Sequence, residues 1–384
     1  MTPAARIAAA AQILDEILAG KPAEQALTGW ARASRFAGSG DRAAIRDLVF
    51  DSLRRRASHA ALGGGLSGRG LMIGGLREAG RDPAEVFTGE GHAPAPLTGA
   101  ETTPQPPPDH DLPEWLWPEW AASLGDDAQA VAEAMRDRAP VWLRVNALKA
   151  SLAEAARALA ADGVETVTDQ RLTTALRVVS GERRIAASSP YRDGLVELQD
   201  LSPQLACAAV PVEDGQSLLD FCAGGGGKTL ALGARAARAA LRLTAHDAIP
   251  RRMSDLPARA ARAGLRVTLS PPAPLARDYD LVVADVPCSG SGTWRRTPDA
   301  KWRLSAEDLD AVVALQARIL DQAAALTRPG GVLAYMTCSL LMRENDGQIS
   351  GFLARSAGWN LSYRRLFTPL DASDGFFLAL MRRG

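Results

Sequence analysis

Along the first ninety residues, apolar positions recur at the three-to-four spacing of amphipathic helices. Ile7, Ile13, Leu14, Ile17 and Leu18 share one face of a helix predicted over 3–19, which Gly20 closes. A second helix is predicted over 23–34. Asp41 caps a third, whose apolar stripe is Ile45, Leu48, Val49 and Leu53. Arg54, Arg55 and Arg56 stand at its C-terminal end, where cations complement the helix dipole or form a small RNA-contacting patch. One or two short helices are expected over 67–87, in a pattern weakened by Gly63-Gly64-Gly65 and Gly74-Gly75. From 89 to 111 the periodicity stops. Pro, Gly, Thr and Ala dominate there, ending in Pro106-Pro107-Pro108, the composition of a semi-extended linker.

Beyond the linker the period changes. Leu112 to Trp120 is apolar and tryptophan-rich, an anchor for packing, and a helix follows to about Arg138. Residues 141–146 alternate as a strand, with Arg144 and Asn146 on the same side. A helix over 151–162 and strands near 174–179 and 195–200 complete an α+β subdomain. From about 201 strand and helix alternate, with strands expected at 217–222, 241–246, 265–269, 280–285, 332–338 and 376–381. Helices are expected at 228–240, 250–263, 305–327 and 343–356. Such alternation predicts a mainly parallel, doubly wound sheet. The expected fold class is therefore α/β, with an all-α domain at 1–88, a linker at 89–111, an α+β RNA-recognition subdomain at 112–203 and the doubly wound domain at 204–384.

Composition excludes more than it selects. The chain of 384 residues is 47% hydrophobic and 23% charged, ordinary for a globular protein. No apolar run reaches the ~20 residues of a membrane span, and no signal-peptide core follows the small apolar residues Ala4 to Ala11. Cys207, Cys222, Cys288 and Cys338 form no CxxC pair, which argues against zinc or a disulfide framework and for a reducing, cytoplasmic setting. Formal net charge is zero, so the whole chain does not announce a nucleic-acid binder. Arginine supplies nearly all the positive charge, as a genome-composition bias would. Against it the lysines at 21, 149, 228 and 301 are few, and Lys228 and Lys301 fall inside motifs.

Candidate chemistry gathers at the predicted strand ends, the rim where open α/β sheets bind ligands. The run 217–222 passes directly into Ala223-Gly224-Gly225-Gly226-Gly227-Lys228 and then a helix. Glycines admit a ligand close to the backbone, and the helix N-terminus offers free N–H groups. A nucleotide phosphate loop fits poorly, because Cys222 stands where its first glycine is required. His246-Asp247 ends the next run, about twenty residues on, where an acid accepts hydrogen bonds from ribose hydroxyls. This pair of features predicts adenosine binding and leaves NAD and S-adenosylmethionine both open.

Two thiols end two further runs, in Asp285-Val286-Pro287-Cys288-Ser289 and Met336-Thr337-Cys338-Ser339. A single cysteine at a strand end is more often a small buried hydrophobe. Two in polar turns favour chemistry. Cytosine is inert at carbon 5 until a nucleophile adds at carbon 6, and a thiolate can do so. A methyl donor, an acid hydrogen-bonding the ring and a base that takes the carbon 5 proton complete the requirement.

These residues carry a resemblance. Cys222 to Lys228, Asp285 to Gly292, Arg295-Arg296-Thr297-Pro298-Asp299-Ala300-Lys301-Trp302, and Thr337-Cys338-Ser339 followed by Glu344-Asn345 resemble the Sun/Fmu (RsmB-like) RNA cytosine-5 methyltransferases. Arg144-Val145-Asn146, Gln199-Asp200-Leu201-Ser202 and Asp374-Gly375-Phe376-Phe377 are similar to further elements of that family, so the likeness runs from about 140 to the C-terminus. It implies a Rossmann-like domain, S-adenosylmethionine as cofactor and RNA as partner. It further implies that Cys338 is the nucleophile, that Cys288 assists product release, and that Asp285 lies at both base and cofactor. Cys222, Ala223, Gly224, Gly225, Gly226, Gly227, Lys228 and Asp247 are the implied cofactor residues. Arg144, Asn146, Arg295, Arg296 and Lys301 are candidates for RNA contacts. DNA cytosine methyltransferases share the chemistry but attack with the Pro-Cys thiol.

Two departures stand out. Gly224-Gly225 replace the family's Ala-Pro, and Thr268-Leu269-Ser270-Pro271-Pro272 stands where an acid near the adenine is expected. Backbone groups or Ser270 must then serve the adenine, or cofactor affinity is reduced. The N-terminal helices resemble a shortened antitermination-factor-like (NusB-like) RNA-binding domain. The expected protein is a cytoplasmic monomer, without metal or membrane, that methylates carbon 5 of a cytosine in 16S ribosomal RNA. A tRNA target, or an inactive RNA-binding ribosome-assembly factor, are the alternatives.

Overall fold

The computed structural model describes residues 1–235, 241–270, 275 and 277–384. The chain divides into two compact units, Met1–Arg138 with Trp294–Ala306, and Ala139–Thr293 with Glu307–Gly384.

The first unit is helical. Helices Pro3–Leu18, Ala23–Ala33 and Ser39–Arg54 follow the apolar stripes, and Ile13, Leu14, Ile45 and Val49 are fully buried in one core. Thr2 accepts from the Ala5 N–H at 3.2 Å and Pro3 opens the first helix, a favourable start for an orphaned N-terminus. Where the arginine run was expected to end a helix, the chain bends at Arg55 and continues as Arg56–Gly63. That helix packs on Gly68–Glu78 at very short range: a Cβ on Gly74 would lie 2.0 Å from the His59 carbonyl oxygen. The glycines that blur the helical pattern are thus what lets these two backbones touch.

Residues 89–111 are not a loose spacer. They carry a 3₁₀ turn at Gly99–Thr102, Glu101 pairs with Arg69 at 2.6 Å, and the buried Asp111 accepts from Ser58 N–H at 2.9 Å and Ser58 Oγ at 2.7 Å. Leu112, Leu116 and Trp120 are buried in the same unit, with Trp120 stacked on Trp294 at 6.2 Å between centroids. By its contacts the stretch 112–138 therefore joins the helical unit.

The second unit holds two sheets. Strands β1 (Trp142–Val145), β2 (Glu165–Asp169), β3 (Leu172–Ser180) and β4 (Val196–Leu198) form an antiparallel sheet in the order β2-β3-β1-β4. The larger sheet comprises β5 (Ser217–Asp220), β6 (Arg242–Ala245), β7 (Val267–Leu269), β8 (Tyr279–Asp285), β9 (Thr327–Thr337), β10 (Trp359–Phe367) and β11 (Phe376–Arg383). Its order is β10-β11-β9-β8-β5-β6-β7, parallel from β9 to β7 and antiparallel at β11 and β10. This is the expected doubly wound sheet. Successive residues feed opposite faces: Leu281 and Val283 enter one core, Val282 and Ala284 the other, which is why the parallel strands read as continuous apolar runs.

Strand order reverses between β5 and β8. That switch point opens a crevice at the C-terminal strand ends. The glycine turn at 222–228, Asp247 and the turns at 285–289 and 337–339 lie along this edge, whereas residues 295–302 belong to the first unit. The expected helix 228–240 is seen as Gly227–Arg235, and its last five residues lie outside the described ones.

Candidate active site

β5 delivers Asp220, and the turn after it carries the glycine run to the helix beginning at Gly227. Asp220 is buried and accepts from Thr229 Oγ1 at 2.6 Å, and burial raises its pKa to about 6. At the tip of β6, Asp247 is almost wholly buried. Its carboxylate accepts from the Gly224 N–H at 3.0 Å and the Ile249 N–H at 2.8 Å, tying the glycine turn to the neighbouring strand end. A carboxylate has lone pairs left over for further donors after two such bonds. Phe221, Cys222, Gly224, Gly225, His246, Asp247, Asp285, Pro287 and Cys288 line one cavity of about 1240 Å³. That is ample for a nucleoside cofactor by the ~300–1,000 Å³ scale of small-molecule sites.

β8 ends at Asp285, whose Oδ2 lies 2.5 Å from Lys228 Nζ, so the last residue of the glycine motif reaches across to the first acid of the Pro-Cys motif. β8 and β9 pair in parallel, with Asp285 opposite Met336. The turns that follow are therefore side by side, and Cys288 Sγ sits 3.2 Å from Cys338 Sγ. The hydrogen bond from Cys288 holds Cys338 below the ordinary thiol range, with Lys228 adding to the effect. The same bond, with burial, pushes Cys288 up. Burial also raises Cys207, to about 11, and Cys222. Of the four thiols, Cys338 alone is held toward its nucleophilic thiolate.

The two turns are fixed by an internal polar network. Ser291 Oγ lies 3.0 Å from Ser339 Oγ and accepts from Leu340 N–H at 2.9 Å, while the Gly292 N–H donates to the Cys338 carbonyl at 2.9 Å. Gly292 lies against Gly375, where a Cβ would meet the Gly375 carbonyl oxygen at 2.3 Å, and the Gly375 N–H donates to Gly292 O at 2.8 Å. This contact accounts for Gly292 and Gly375. Beneath both turns is Glu344, fully buried. It accepts from Ser289 N–H at 2.7 Å, Ser289 Oγ at 2.5 Å, Gln316 Nε2 at 2.9 Å and the Ser339 hydroxyl. Sequence reasoning quoted Glu344 only as part of a motif. Its sole signal was a carboxylate six residues past Cys338, just after the apolar run Leu340-Leu341-Met342.

The expected RNA contacts are placed otherwise, and four of the five are buried. Arg144 donates to Gln199 Oε1 at 2.7 Å and the Leu230 carbonyl at 3.2 Å. Asn146 donates to the Gly194 and Ala263 carbonyls at 3.0 and 2.9 Å. Both clamp the small sheet to the surrounding backbone. Arg295 donates to the Asp137 and Arg138 carbonyls at 3.1 Å each. Lys301 and Trp302 serve as side-chain caps: they donate to Arg54 O at 3.0 Å and Leu53 O at 2.7 Å, carbonyls at the end of a helix with no intrahelical partner. Burial among Arg54, Arg56 and Arg136 lowers Lys301 to about 7. The reason is their motif: its apolar neighbours Trp294 and Pro298 draw the segment into the helical core. Arg296 is exposed. At the third strand, the Ser270 N–H donates to Ala245 O at 2.9 Å, and Pro271 and Pro272 lie outside the described residues.

Among the described residues no helix is long and apolar enough to cross a membrane, and no cluster of metal-ligating side chains occurs.

Comparison with known proteins agrees with this geometry. A family described as 16S rRNA methyltransferase RsmB/F matches residues 207–381, and the RsmF/B-like ferredoxin-like domain matches 112–183. The chain is 35% identical over 294 residues to ribosomal RNA small subunit methyltransferase B of Xanthomonas campestris pv. campestris, covering 71% of this chain and 67% of that relative. The solved structure of a methyltransferase homolog protein from Pyrococcus horikoshii is 25% identical, with a TM-score of 0.61 over 70% of this chain and 94% of its own. The structure of PH0851, 21% identical, superposes with a TM-score of 0.77 over 100% of this chain and 99% of its own. Fold and site define a Rossmann-like methyltransferase that uses S-adenosylmethionine. Within that class the chain belongs to the RsmB/F family of 16S rRNA methyltransferases.

Proposed function

We propose that this chain methylates carbon 5 of a cytosine in 16S ribosomal RNA through a covalent adduct on Cys338. The observation that carries this reading is the thiol pair: two sulfurs 3.2 Å apart at adjoining strand ends, only one of them held toward the thiolate. The glycine turn at 222–228, Asp247 and Asp285 would hold the cofactor. When bound, S-adenosylmethionine supplies an electrophilic methyl group.

Cys338 adds to carbon 6 of the ring, and the electron pair displaced from the 5,6 double bond makes carbon 5 nucleophilic. Asp285, beside Lys228, offers an acceptor and a donor together, which suits the amino group and N3 on the cytosine edge. Carbons 5 and 6 are bonded neighbours, so a sulfur 3.2 Å from Cys338 reaches the carbon 5 proton once methylation is complete. Once Cys338 is a thioether it no longer exerts the thiolate charge and hydrogen bond that keep Cys288 protonated. Cys288 releases its own proton to solvent and, as the thiolate, takes the carbon 5 proton. The double bond re-forms, and Cys338 leaves with its electron pair. The target must be unstacked, because a thiol cannot reach carbon 6 within a helix. The helical unit and the small sheet are the surfaces proposed to hold RNA, with Arg296 the remaining exposed candidate among the basic residues of the motifs. We propose that it acts in the cytoplasm, where such a substrate is made, and as a monomer.

Bisulfite mapping of total RNA from a deletion strain tests this reading. One cytosine of 16S RNA should lose its methyl group and regain it when the wild-type chain is restored. Loss in tRNA instead, or no loss at all, would contradict it.

A further inference from the structure

The buried carboxylate of Glu344 has four neutral partners and a place in the fold that packing alone does not explain. Isolated charges are costly to bury, and an apolar or amide side chain would fill the space without that cost. What only an ionised carboxylate can do here is accept from several donors at once. Those donors come from both thiol turns. Ser289, bonded through both its N–H and its hydroxyl, follows Cys288, and Ser339 follows Cys338. Gln316, on the helix Ala306–Leu326, donates to Glu344 at 2.9 Å and to the Pro287 carbonyl at 2.9 Å, bracing the Pro-Cys turn from behind. The backbone of Glu344 is itself anchored, since Tyr335 on β9 donates its hydroxyl to the Glu344 carbonyl at 2.7 Å.

We infer that Glu344 is a positioning residue for methyl transfer: its carboxylate sets the Cys288 turn against the Cys338 turn, so that both sulfurs meet one pyrimidine ring. The inference rests on the proposed roles of the two thiols. Electrostatics makes the choice sharper, because the negative charge of Glu344 opposes ionisation of both thiols. Its charge works against the nucleophile, so what it contributes to the site is geometry.

The test uses the purified full chain with Glu344→Gln, which preserves shape but cannot accept from all four donors. The first readout is the rate at which diamide, which takes two hydrogens from a dithiol, closes a Cys288–Cys338 disulfide, followed by peptide mass spectrometry. It should fall about tenfold, since reaction rates respond steeply to misplacement of about 1 Å. The second is methyl transfer to a 16S RNA transcript, expected to fall about 10²-fold while S-adenosylmethionine affinity by calorimetry stays within about twofold. The third is the pH midpoint of Cys338 alkylation, which should move up, because the hydrogen bond from Cys288 outweighs the charge of Glu344 in its effect on Cys338. A change that leaves the two turns in register would not move it that way.

Disulfide closure at the wild-type rate would overturn the inference, whatever happens to turnover. Slow closure with wild-type turnover would support the positioning role and instead defeat the two-thiol reading. If Glu344→Gln does not fold, Ser289→Ala removes one of the four bonds and should slow closure by a smaller factor; no slowing would again overturn the inference.

Discussion

Cys288 Sγ and Cys338 Sγ are 3.2 Å apart although fifty residues separate them in the chain. The contact exists because β8 and β9 are adjacent and parallel, so equivalent positions past their ends coincide. The two thiols are unequal: this bond and burial push Cys288 up, while the bond and Lys228 hold Cys338 down.

That inequality can be measured directly. In Cys288→Ala, Cys338 loses the donor that holds its pKa down. The alkylation rate of Cys338 with iodoacetamide, followed by peptide mass spectrometry across pH, should show its midpoint displaced upward. The thiolate fraction at neutral pH falls accordingly. An unmoved or lowered midpoint would show that the bond does not tune Cys338.

Lys228 is the partner of Asp285 at 2.5 Å. Replacing it with methionine leaves the carboxylate without its orienting cation and also removes a charge that favours the Cys338 thiolate. Methyl-transfer kcat should fall on the order of 10²-fold, with the melting temperature changed little. Near-wild-type kcat would exclude Lys228 from the reaction centre.

Asp247 fastens the Gly224 N–H and faces the cavity proposed for the cofactor. Asp247→Ala should weaken S-adenosylmethionine binding by about tenfold or more, as the loss of hydrogen bonds to a charged group, ~1.5–3 kcal/mol, implies. Titration calorimetry reads this without RNA. Unchanged affinity would place the ribose elsewhere.

Gly292 has no room for a side chain, because a Cβ would stand 2.3 Å from Gly375 O and 2.5 Å from its carbon. Both neighbours are backbone, so the strain cannot be relieved by a rotamer. Gly292→Ala should cost ~1–3 kcal/mol by overpacking, seen as a melting temperature lowered by a few degrees. Methyl transfer should fall with it, since the same residue donates to the Cys338 carbonyl.

The doubly wound sheet was legible because buried parallel strands write themselves as unbroken apolar runs, and each such run led into a motif. Two exposed edge strands, β2 and β10, were not. In β10 Trp359, Leu361 and Tyr363 do alternate with Asn360, Ser362 and Arg364, but the strand is exposed along most of its length, so no buried apolar run marks it. In the site, Lys228, Asp285, Cys288 and Cys338 stood out as chemistry at strand ends. The surroundings of the basic residues were not legible, because charge in a sequence does not reveal whether a backbone carbonyl is waiting for it: Arg144, Arg295 and Lys301 all donate to backbone carbonyls. Glu344 stayed hidden for a related reason. Its partners are a backbone N–H, two hydroxyls and an amide drawn from three separate stretches, which only the folded chain brings together.

The division of labour between the thiols is the centre of the account, and trapping of RNA tests it most directly. Each variant is incubated with 16S RNA transcript and S-adenosylmethionine, then run on a denaturing gel. Cys288→Ser should accumulate a denaturant-resistant protein–RNA adduct and turn over poorly, whereas Cys338→Ser should give neither adduct nor methylated product. An adduct in Cys338→Ser, or full turnover by that variant, would contradict the assignment of Cys338 as the nucleophile.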